Sequence, residues 1–243
     1  MIDDTEKSSD TPLRDIKYVP SHLNPNTRAH YEREFRVDGR WERAHGRQQT
    51  RLFAEAFHRK ISVPLIGRFS VLDVGCALGD AIPVWRGYYP DAELFGCDVA
   101  EVCIARCIQQ FGKLAKFFKA GFEDLRGKWD VIYCSNVLEH FETPAAIAEV
   151  LLRHCKILYV MTPYRELRGG HVLTADGSSF HVVSLFRETF DSIPGATVRS
   201  RVIRAPGAWS LPWSREIEWQ LHRVLCPSLG PPPRQIVYTI TSG

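Results

Sequence analysis

The chain has 243 residues, of which 44% are hydrophobic and 24% are charged. This composition predicts one globular domain with a substantial core and short extensions. The 31 basic residues nearly balance the 28 acidic ones, and no basic stripe is evident, so no nucleic-acid partner is expected. No uncharged apolar run reaches the roughly 18 residues of a membrane span, so no membrane partner is expected either.

The N-terminal residues and the cysteines indicate a cellular compartment. Residues 1–10 are acidic and polar, so no signal peptide is expected. The seven cysteines include no C-x-x-C pair, which favours reduced thiols and a cytoplasmic protein. Cys103 and Cys107 would share a helix face, where packing is a better explanation than zinc binding.

Two segments precede the predicted core. Residues 1–26 are polar and contain three prolines, which predicts a flexible lead-in. Residues 27–60 are aromatic and basic, and the helical spacing around Phe53 and Phe57 predicts an amphipathic helix. This second segment could form a lid over a ligand, or a cap without ligand contact.

The next stretch, residues 71–79, reads as a strand, a loop with Gly75 and Gly79, and the start of a helix. Glycines allow a bound molecule to approach the backbone closely. Asp73 places a carboxylate beside the loop, where it would repel a pyrophosphate. Ala77 also replaces the second glycine of the dinucleotide fingerprint. The loop therefore predicts a site for a cationic ligand.

A second predicted strand, residues 93–98, ends on Asp98. The acidic residue lies near the roughly 20-residue spacing beyond Gly79 at which a βαβ unit binds a ribose hydroxyl pair. A carboxylate can accept both hydroxyl hydrogen bonds. Asp98 could instead cap the helix predicted from Val99 to Gln110. Its combination with Asp73 favours ligand binding.

The remaining predicted elements alternate between strand and helix. They are helix 81–88, strand 115–120, strand 129–134, helix 142–153, strand 155–161, helix 181–190, and strands 198–203 and 235–241. Loops with Phe122 and Glu123, and with the run SNVLEH at 135–140, follow the third and fourth strands. Residues 205–234 form an insertion whose three tryptophans favour an ordered flap or a contact surface.

Together these motifs resemble the class I S-adenosylmethionine (AdoMet) methyltransferases, from about residue 69 to residue 241. Residues 71–79 are similar to the first motif of that family, and the Leu-Glu-His of residues 138–140 is similar to its fourth. The resemblance implies an α/β, doubly wound, mostly parallel seven-stranded sheet with the last strand antiparallel, the Rossmann-like methyltransferase fold. This single domain, residues 27–243, would carry an N-terminal helical extension.

The resemblance also implies the site. AdoMet would be the cofactor, with Asp98 on its ribose and Phe122 and Glu123 near its adenine. The implied cofactor-binding residues are Asp73, Gly75, Cys76, Ala77, Gly79, Asp98, Val99, Phe122, Glu123, Ser135 and Asn136. Ala77 departs from the usual glycine of the family, but a methyl group is a small intrusion.

A base that takes a hydroxyl proton would add about 10²- to 10⁴-fold to the rate. His140 is the first candidate, because its loop should face the methyl group and imidazole titrates near neutrality. A structural role for His140 is the alternative. His171 and His181 are second candidates. No cluster of carboxylate and amide ligands, as in catechol-type methyltransferases, is evident, so no metal is predicted.

The narrower resemblance is to O-methyltransferases of bacterial glycan and natural-product pathways, through residues 138–140 and 162–164. It implies methyl transfer to a hydroxyl of a small molecule or glycan precursor. N-methylation and a catalytically inactive binding protein are alternatives, and a homodimer is left open. Ala77 disfavours a nicotinamide-dependent oxidoreductase. The run SNVL at 135–138 lacks the Asn/Asp-Pro-Pro-aromatic pattern of base-modifying methyltransferases.

Overall fold

A computed structural model describes residues 26–37, 39, 41, 46–164, 167–168, 171–172, 181–204 and 234–243. Most of the predicted lead-in and insertion, including Trp209, Trp213 and Trp219, lies outside these residues. No helix in the described part of the chain is both long and apolar enough to cross a bilayer.

Seven strands form one sheet. They are β1 (Ser70–Val74), β2 (Glu93–Asp98), β3 (Lys116–Lys119), β4 (Trp129–Ser135), β5 (Cys155–Pro163), β8 (Ala196–Arg204) and β9 (Arg234–Ser242). Their order is β3-β2-β1-β4-β5-β9-β8, and β9 is antiparallel to both of its neighbours. The other pairs are parallel, so the predicted sheet is confirmed. The short strands β6 (Leu167–Arg168) and β7 (His171–Val172) pair separately.

Five α-helices are described. They are α1 (Arg28–Glu34), α2 (Gly46–Lys60), α3 (Ile82–Tyr88), α4 (Glu101–Phe111) and α5 (Pro144–Leu152). A 3₁₀ turn spans Leu138–His140. The bounds of α3, α4 and α5 agree with the predicted helices to within about two residues, the usual uncertainty at helix ends.

The helix predicted at residues 181–190 is wrong. This segment is extended and then forms turns. The amides of Val182 and Val183 donate to the carbonyl oxygen of Glu139, at 2.8 and 3.2 Å, and Leu185 forms a β-bridge with Tyr164. These contacts bury the apolar side chains of Val182, Val183 and Leu185 in an extended segment, so tertiary contacts override the predicted helix.

Apolar layers cover both faces of the sheet. Along β4, Val131 and Tyr133 pack into the layer that includes α2 and α3. Ile132 and Cys134 pack into the opposite layer, with α5. This alternation follows from the two-residue period of a strand. A sheet covered on both faces presents its binding residues at the strand ends.

Helix α2 is joined to the loop after β1 by a buried ion pair. The Arg47 guanidinium donates twice to the Asp80 carboxylate, at 2.8 and 3.1 Å. Arg51 lies 2.9 Å from the same carboxylate, which is 1% exposed. The apolar face of α2, with Phe53 and Phe57, is buried as predicted.

The six described cysteines are all buried thiols. Cys103 and Cys107 are fully buried in α4, which agrees with a packing role for both.

Candidate functional site

Two acidic side chains meet at the carboxyl ends of β1 and β2. Asp73 is 3% exposed and Asp98 is 6% exposed. Burial, and then the charge of Asp98, raises the pKa of Asp73 to about 8. Burial raises the pKa of Asp98 to about 6, although three backbone amides oppose the shift. The predicted convergence of these two carboxylates is therefore present.

The loop between β1 and α3 has a left-handed backbone at three residues. The φ angles are +70° at Gly75, +49° at Ala77 and +77° at Gly79. A Cβ at Gly75 would lie 2.5 Å from Val137 Cγ2, and one at Gly79 would lie 3.0 Å from Cys107 Sγ. Backbone conformation and neighbouring side chains therefore favour glycine at both positions, most strongly at Gly75, a reason that differs from the predicted approach of a ligand.

Asp98 holds this loop against α4. Its Oδ2 accepts the amide of Ala77 at 3.0 Å, and its Oδ1 accepts the amide of Ala100 at 2.9 Å. The N-cap residue of α4 is Ala100 and the helix begins at Glu101, so the structure does not show the alternative in which Asp98 caps this helix. The Val99 amide also bonds to this carboxylate, and since a carboxylate has about four acceptor positions, at least one remains for the ribose hydroxyls. Cys76, next in the loop, is buried, and its amide donates to Cys97 O at 3.0 Å.

The predicted adenine-binding residues occupy the loop after β3. Phe122 is half-buried, and its ring packs edge-on against Phe141 with centroids 5.1 Å apart. Val99 is half-buried, with its Cγ1 3.8 Å from the position of a Cβ on Gly121. Glu123 is exposed. An apolar pair therefore flanks the Asp98 end of the site, with Glu123 at the surface.

The loop after β4 begins at Ser135 and Asn136. Asn136 has a φ of +54°, and its amide donates to Met161 O at 2.7 Å. Its side-chain Nδ2 donates to Ser135 Oγ at 3.0 Å. This left-handed residue turns the chain out of β4 and into the 3₁₀ turn.

A carboxylate and two imidazoles cluster beyond that turn. The carboxylate of Glu139 is 1% exposed, and its Oε2 accepts a hydrogen bond from Thr162 Oγ1 at 3.0 Å. His181 Nε2 lies 3.8 Å from Glu139 Oε1, and the rings of His140 and His181 have centroids 4.8 Å apart. Their candidate ligand atoms all lie within 4.8 Å of one another. The structure therefore places the two predicted histidines, His140 and His181, in one cluster with Glu139.

Glu139 was not among the predicted site residues. Its signal in the sequence was an acidic residue between Leu138 and His140 in a loop after a buried strand. His171 lies in β7, and its side chain is outside the described part of the structure.

Helix α1 covers this edge of the sheet. Phe35, at the end of α1, is 6% exposed and packs with Ala77 and Ala100. The Glu32 carboxylate accepts the amides of Glu101 and Val102 at 2.8 and 3.2 Å, and so caps α4. Helix α1 is therefore joined, through its second half, to the element that follows Asp98.

Tyr31 of α1 lies between the two halves of the site. Burial, followed by the charges of Asp98 and Glu139, raises its pKa above the ordinary value. Its hydroxyl donates to Asn26 Oδ1 at 3.0 Å, and Asn26 Nδ2 donates to His140 O at 3.1 Å. The region 26–35 thus bonds to His140 of the histidine cluster and lies near enough to Asp98 to interact with its charge.

Comparison with known proteins gives one family and several similar folds. A family model described as a methyltransferase domain matches residues 12–224. No curated protein sequence matches the chain. One similar structure is a chain from the complex between the Haloferax volcanii Trm112 methyltransferase activator and a methyltransferase. It is 16% identical, with a TM-score of 0.60 over 84% of this chain and 96% of that chain.

Two further structures have the same fold. The plantazolicin methyltransferase BpumL, in complex with S-adenosylhomocysteine, is 16% identical with a TM-score of 0.55, over 89% of this chain and 95% of its own. Magnesium protoporphyrin IX methyltransferase from Synechocystis PCC 6803, with bound AdoMet, is 16% identical with a TM-score of 0.52, over 91% and 94%. Sequence identities this low show a shared fold and nothing more specific.

Proposed function

The chain belongs to the methyltransferase-domain family, and from that premise we propose that it transfers the methyl group of AdoMet to a hydroxyl of a small molecule or glycan precursor. The observation that carries the proposal is the buried pair Asp73 and Asp98. Among the described residues, neither carboxylate forms an ion pair with a basic side chain. Two buried carboxylates side by side favour a ligand that brings positive charge.

AdoMet fits that requirement, since it carries a sulfonium and an ammonium group. Asp73 would lie near these charges, and Asp98 would accept hydrogen bonds from the ribose. Val99 and Phe122 offer an apolar surface for the adenine. Ser135 and Asn136 would border the cofactor on the side of β4.

The cluster of Glu139, His140 and His181 supports an oxygen acceptor. AdoMet supplies both the methyl group and its leaving group, so the protein has to orient the acceptor and manage its proton. A hydroxyl must lose a proton as its oxygen forms the new bond. The predicted base, His140, lies in this cluster, and His181 and Glu139 add two further groups that can act on that proton.

We expect Asp98→Ala to weaken AdoMet binding by about 1.5 to 3 kcal/mol, the scale of a hydrogen bond to a charged group. This corresponds to an increase in Kd of about 10- to 150-fold. Isothermal titration calorimetry with AdoMet measures the effect. Thermal unfolding of the variant without ligand shows whether the loss of the Ala77 and Ala100 contacts has disrupted the fold.

Asp130→Asn is the matched control. Asp130 lies near the opposite end of β4, where it accepts hydrogen bonds from Ser70 and pairs with Lys156 at 2.7 Å. Its replacement should leave AdoMet affinity unchanged. Equal affinity of the wild-type chain and Asp98→Ala would overturn the ribose assignment, and no AdoMet binding by the wild-type chain would overturn the proposed function.

The acceptor atom can be identified from the product. Incubation with AdoMet carrying a carbon-13 methyl group, in a small-molecule extract, transfers the label to the acceptor. The chemical shift of the labelled carbon distinguishes an O-methyl from an N-methyl group. An N-methyl product would contradict the hydroxyl acceptor while leaving the methyltransferase activity in place.

A further inference from the structure

We propose that Glu139, His140 and His181 together bind a divalent transition-metal cation that contacts the oxygen of the methyl acceptor. The inference rests on the proposed function and deepens it, because it gives the histidine cluster a specific task. It also revises the sequence-based prediction of no metal, which considered carboxylate and amide ligands at the strand ends. The observed set contains two imidazoles and one carboxylate.

The distances within the cluster suit a cation after small side-chain movements. Ligands at 2.0–2.2 Å from a metal lie about 3 to 3.5 Å from one another in tetrahedral or octahedral geometry. The separation between Glu139 Oε1 and His181 Nε2 is already 3.8 Å. All candidate ligand atoms of the three residues lie within 4.8 Å of one another. Rotation of the half-buried His140 and His181 rings can bring the ligand atoms from these separations to those of a metal site.

The backbone around the cluster fixes the ligands in position. The carbonyl oxygen of Glu139 accepts the amides of Val182 and Val183, at 2.8 and 3.2 Å, and so holds the residue after His181 against it. Val182 is fully buried. His140 lies in the 3₁₀ turn, and its amide donates to Val137 O at 3.1 Å. Two distant parts of the sequence are thereby held together by main-chain bonds.

Thr162 supplies an outer contact of the kind that orients metal ligands. Its hydroxyl donates to Glu139 Oε2 at 3.0 Å, which turns Oε1 toward His181. Hydrogen bonds of this type to a ligating carboxylate fix its orientation. Thr162 is itself fully buried in β5.

The donor set determines the class of cation. Two imidazole nitrogens and one carboxylate oxygen suit first-row divalent metals such as Zn²⁺, Co²⁺ and Fe²⁺, and a three-ligand site leaves positions open for substrate. Hard cations such as Mg²⁺ prefer oxygen ligands throughout.

A cation here would act on the acceptor hydroxyl. The hydroxyl oxygen binds the cation, which lowers its pKa, and its proton passes to water. The oxygen then forms a bond to the methyl carbon of AdoMet as the carbon–sulfur bond breaks, with the electron pair going to sulfur. His140 and His181 are ligands in this scheme, in place of the predicted role of His140 as the base.

The test is a titration of the chelator-treated full-length chain with Co²⁺, followed by its visible absorption, with Zn²⁺ content measured after dialysis. We expect one equivalent of metal. Glu139→Gln, His140→Ala and His181→Ala should each weaken binding by at least about tenfold, since even outer contacts contribute 10- to 100-fold. His154→Ala is the control, because His154 is half-buried and contacts Gly127 O at the opposite end of the sheet.

AdoMet binding, measured on the same variants, separates this proposal from the proposed function. Retained AdoMet affinity with loss of Co²⁺ shows that the variants are folded and supports the metal site. No bound Co²⁺ or Zn²⁺ in the wild-type chain, or equal Co²⁺ affinity in the wild type and all three variants, would overturn the metal site. Metal binding without AdoMet binding would overturn the proposed function instead.

Discussion

At the scale of single residues, Asp73 and Asp98 hold protons that the same side chains would lose in water. The pKa of Asp73 is raised to about 8 and that of Asp98 to about 6, mainly because both are buried. A cation bound beside them would favour their ionised forms and lower both pKa values. Cofactor binding is therefore coupled to proton release.

We predict that AdoMet affinity rises with pH between about 6 and 8 and levels off above the pKa of Asp73. At lower pH the cofactor must displace a proton from Asp73, which opposes binding. Calorimetry near pH 7 in buffers with different ionisation enthalpies measures the released protons. Asp73→Asn should remove most of the release. The amino group of free AdoMet titrates in the same way whether the wild-type chain or Asp73→Asn is present. The difference in proton release between these two chains therefore reports on Asp73.

An observed enthalpy that does not depend on the buffer, together with equal affinity at pH 6.5 and 8.5, would contradict this coupling. It would show that Asp73 has the same protonation state before and after the cofactor binds.

The sequence predicted some site residues better than others. Asp73 and Asp98 could be identified because each ends an apolar run, and neighbouring parallel strands bring such ends together. His181 could be named but not joined to Glu139, because hydrogen bonds from residues 182 and 183 make that connection. Local sequence contains no signal for such a distant backbone contact.

At the scale of elements, the segment 27–60 has two different relations to the site. Helix α2 is joined to the domain through Asp80 and the apolar layer beneath it. Helix α1 lies over the strand ends and contacts His140 through Asn26. The sequence left lid and cap as alternatives for the whole segment. We propose that α1 serves as the lid and α2 as the cap.

Arg47 and Arg51 should contribute unequally to the stability of the α2 contact. Arg47 binds Asp80 with two hydrogen bonds, and its side chain is 26% exposed, whereas that of Arg51 is 50% exposed. We expect Arg47→Ala to lower the free energy of unfolding by about 1.5 to 3 kcal/mol, and Arg51→Ala by less than about 1 kcal/mol. Urea denaturation measures both. Equal losses of unfolding free energy in the two variants would contradict this difference between Arg47 and Arg51.

The predicted elements differ in accuracy for a physical reason. Strands β1, β2, β4 and β5 are enclosed on both faces, so their sequences are nearly continuous apolar runs with visible ends. Residues 181–190 have similar apolar content, but the amides of Val182 and Val183 bond to Glu139 in another loop, where a helix would need partners within the segment. The predicted helix failed there because local sequence does not reveal which partner satisfies the backbone.

At the scale of the whole molecule, one polar ring lies within an otherwise apolar layer. His58 of α2 is 9% exposed and lies among aromatic rings of α2, α3 and Tyr89. Within the described part of the chain, neither of its ring nitrogens has a hydrogen-bond partner. Burial lowers its pKa to about 3. The folded chain therefore keeps this imidazole neutral.

We predict that His58→Phe stabilises the fold, and increasingly so as the pH falls. The folded pKa of about 3 lies below the unfolded value near 6.5, so the unfolded chain binds the extra proton between these limits. The advantage of the variant should grow by about 2 kcal/mol from pH 7 to pH 5. Urea denaturation at both pH values measures it, with the half-buried His154→Phe as the control. A pH-independent difference would contradict the neutral, buried imidazole.

The position of β9 has a consequence for how the molecule is made. This strand pairs with β5 on one side and β8 on the other, yet it is the last of the seven to be synthesised. Until residues 234–242 have left the ribosome, β5 has an unpaired outer edge and β8 has no neighbour in the sheet. Nascent chains are most exposed to aggregation in this interval. The sheet is completed only when β9 pairs with segments distant from it in sequence.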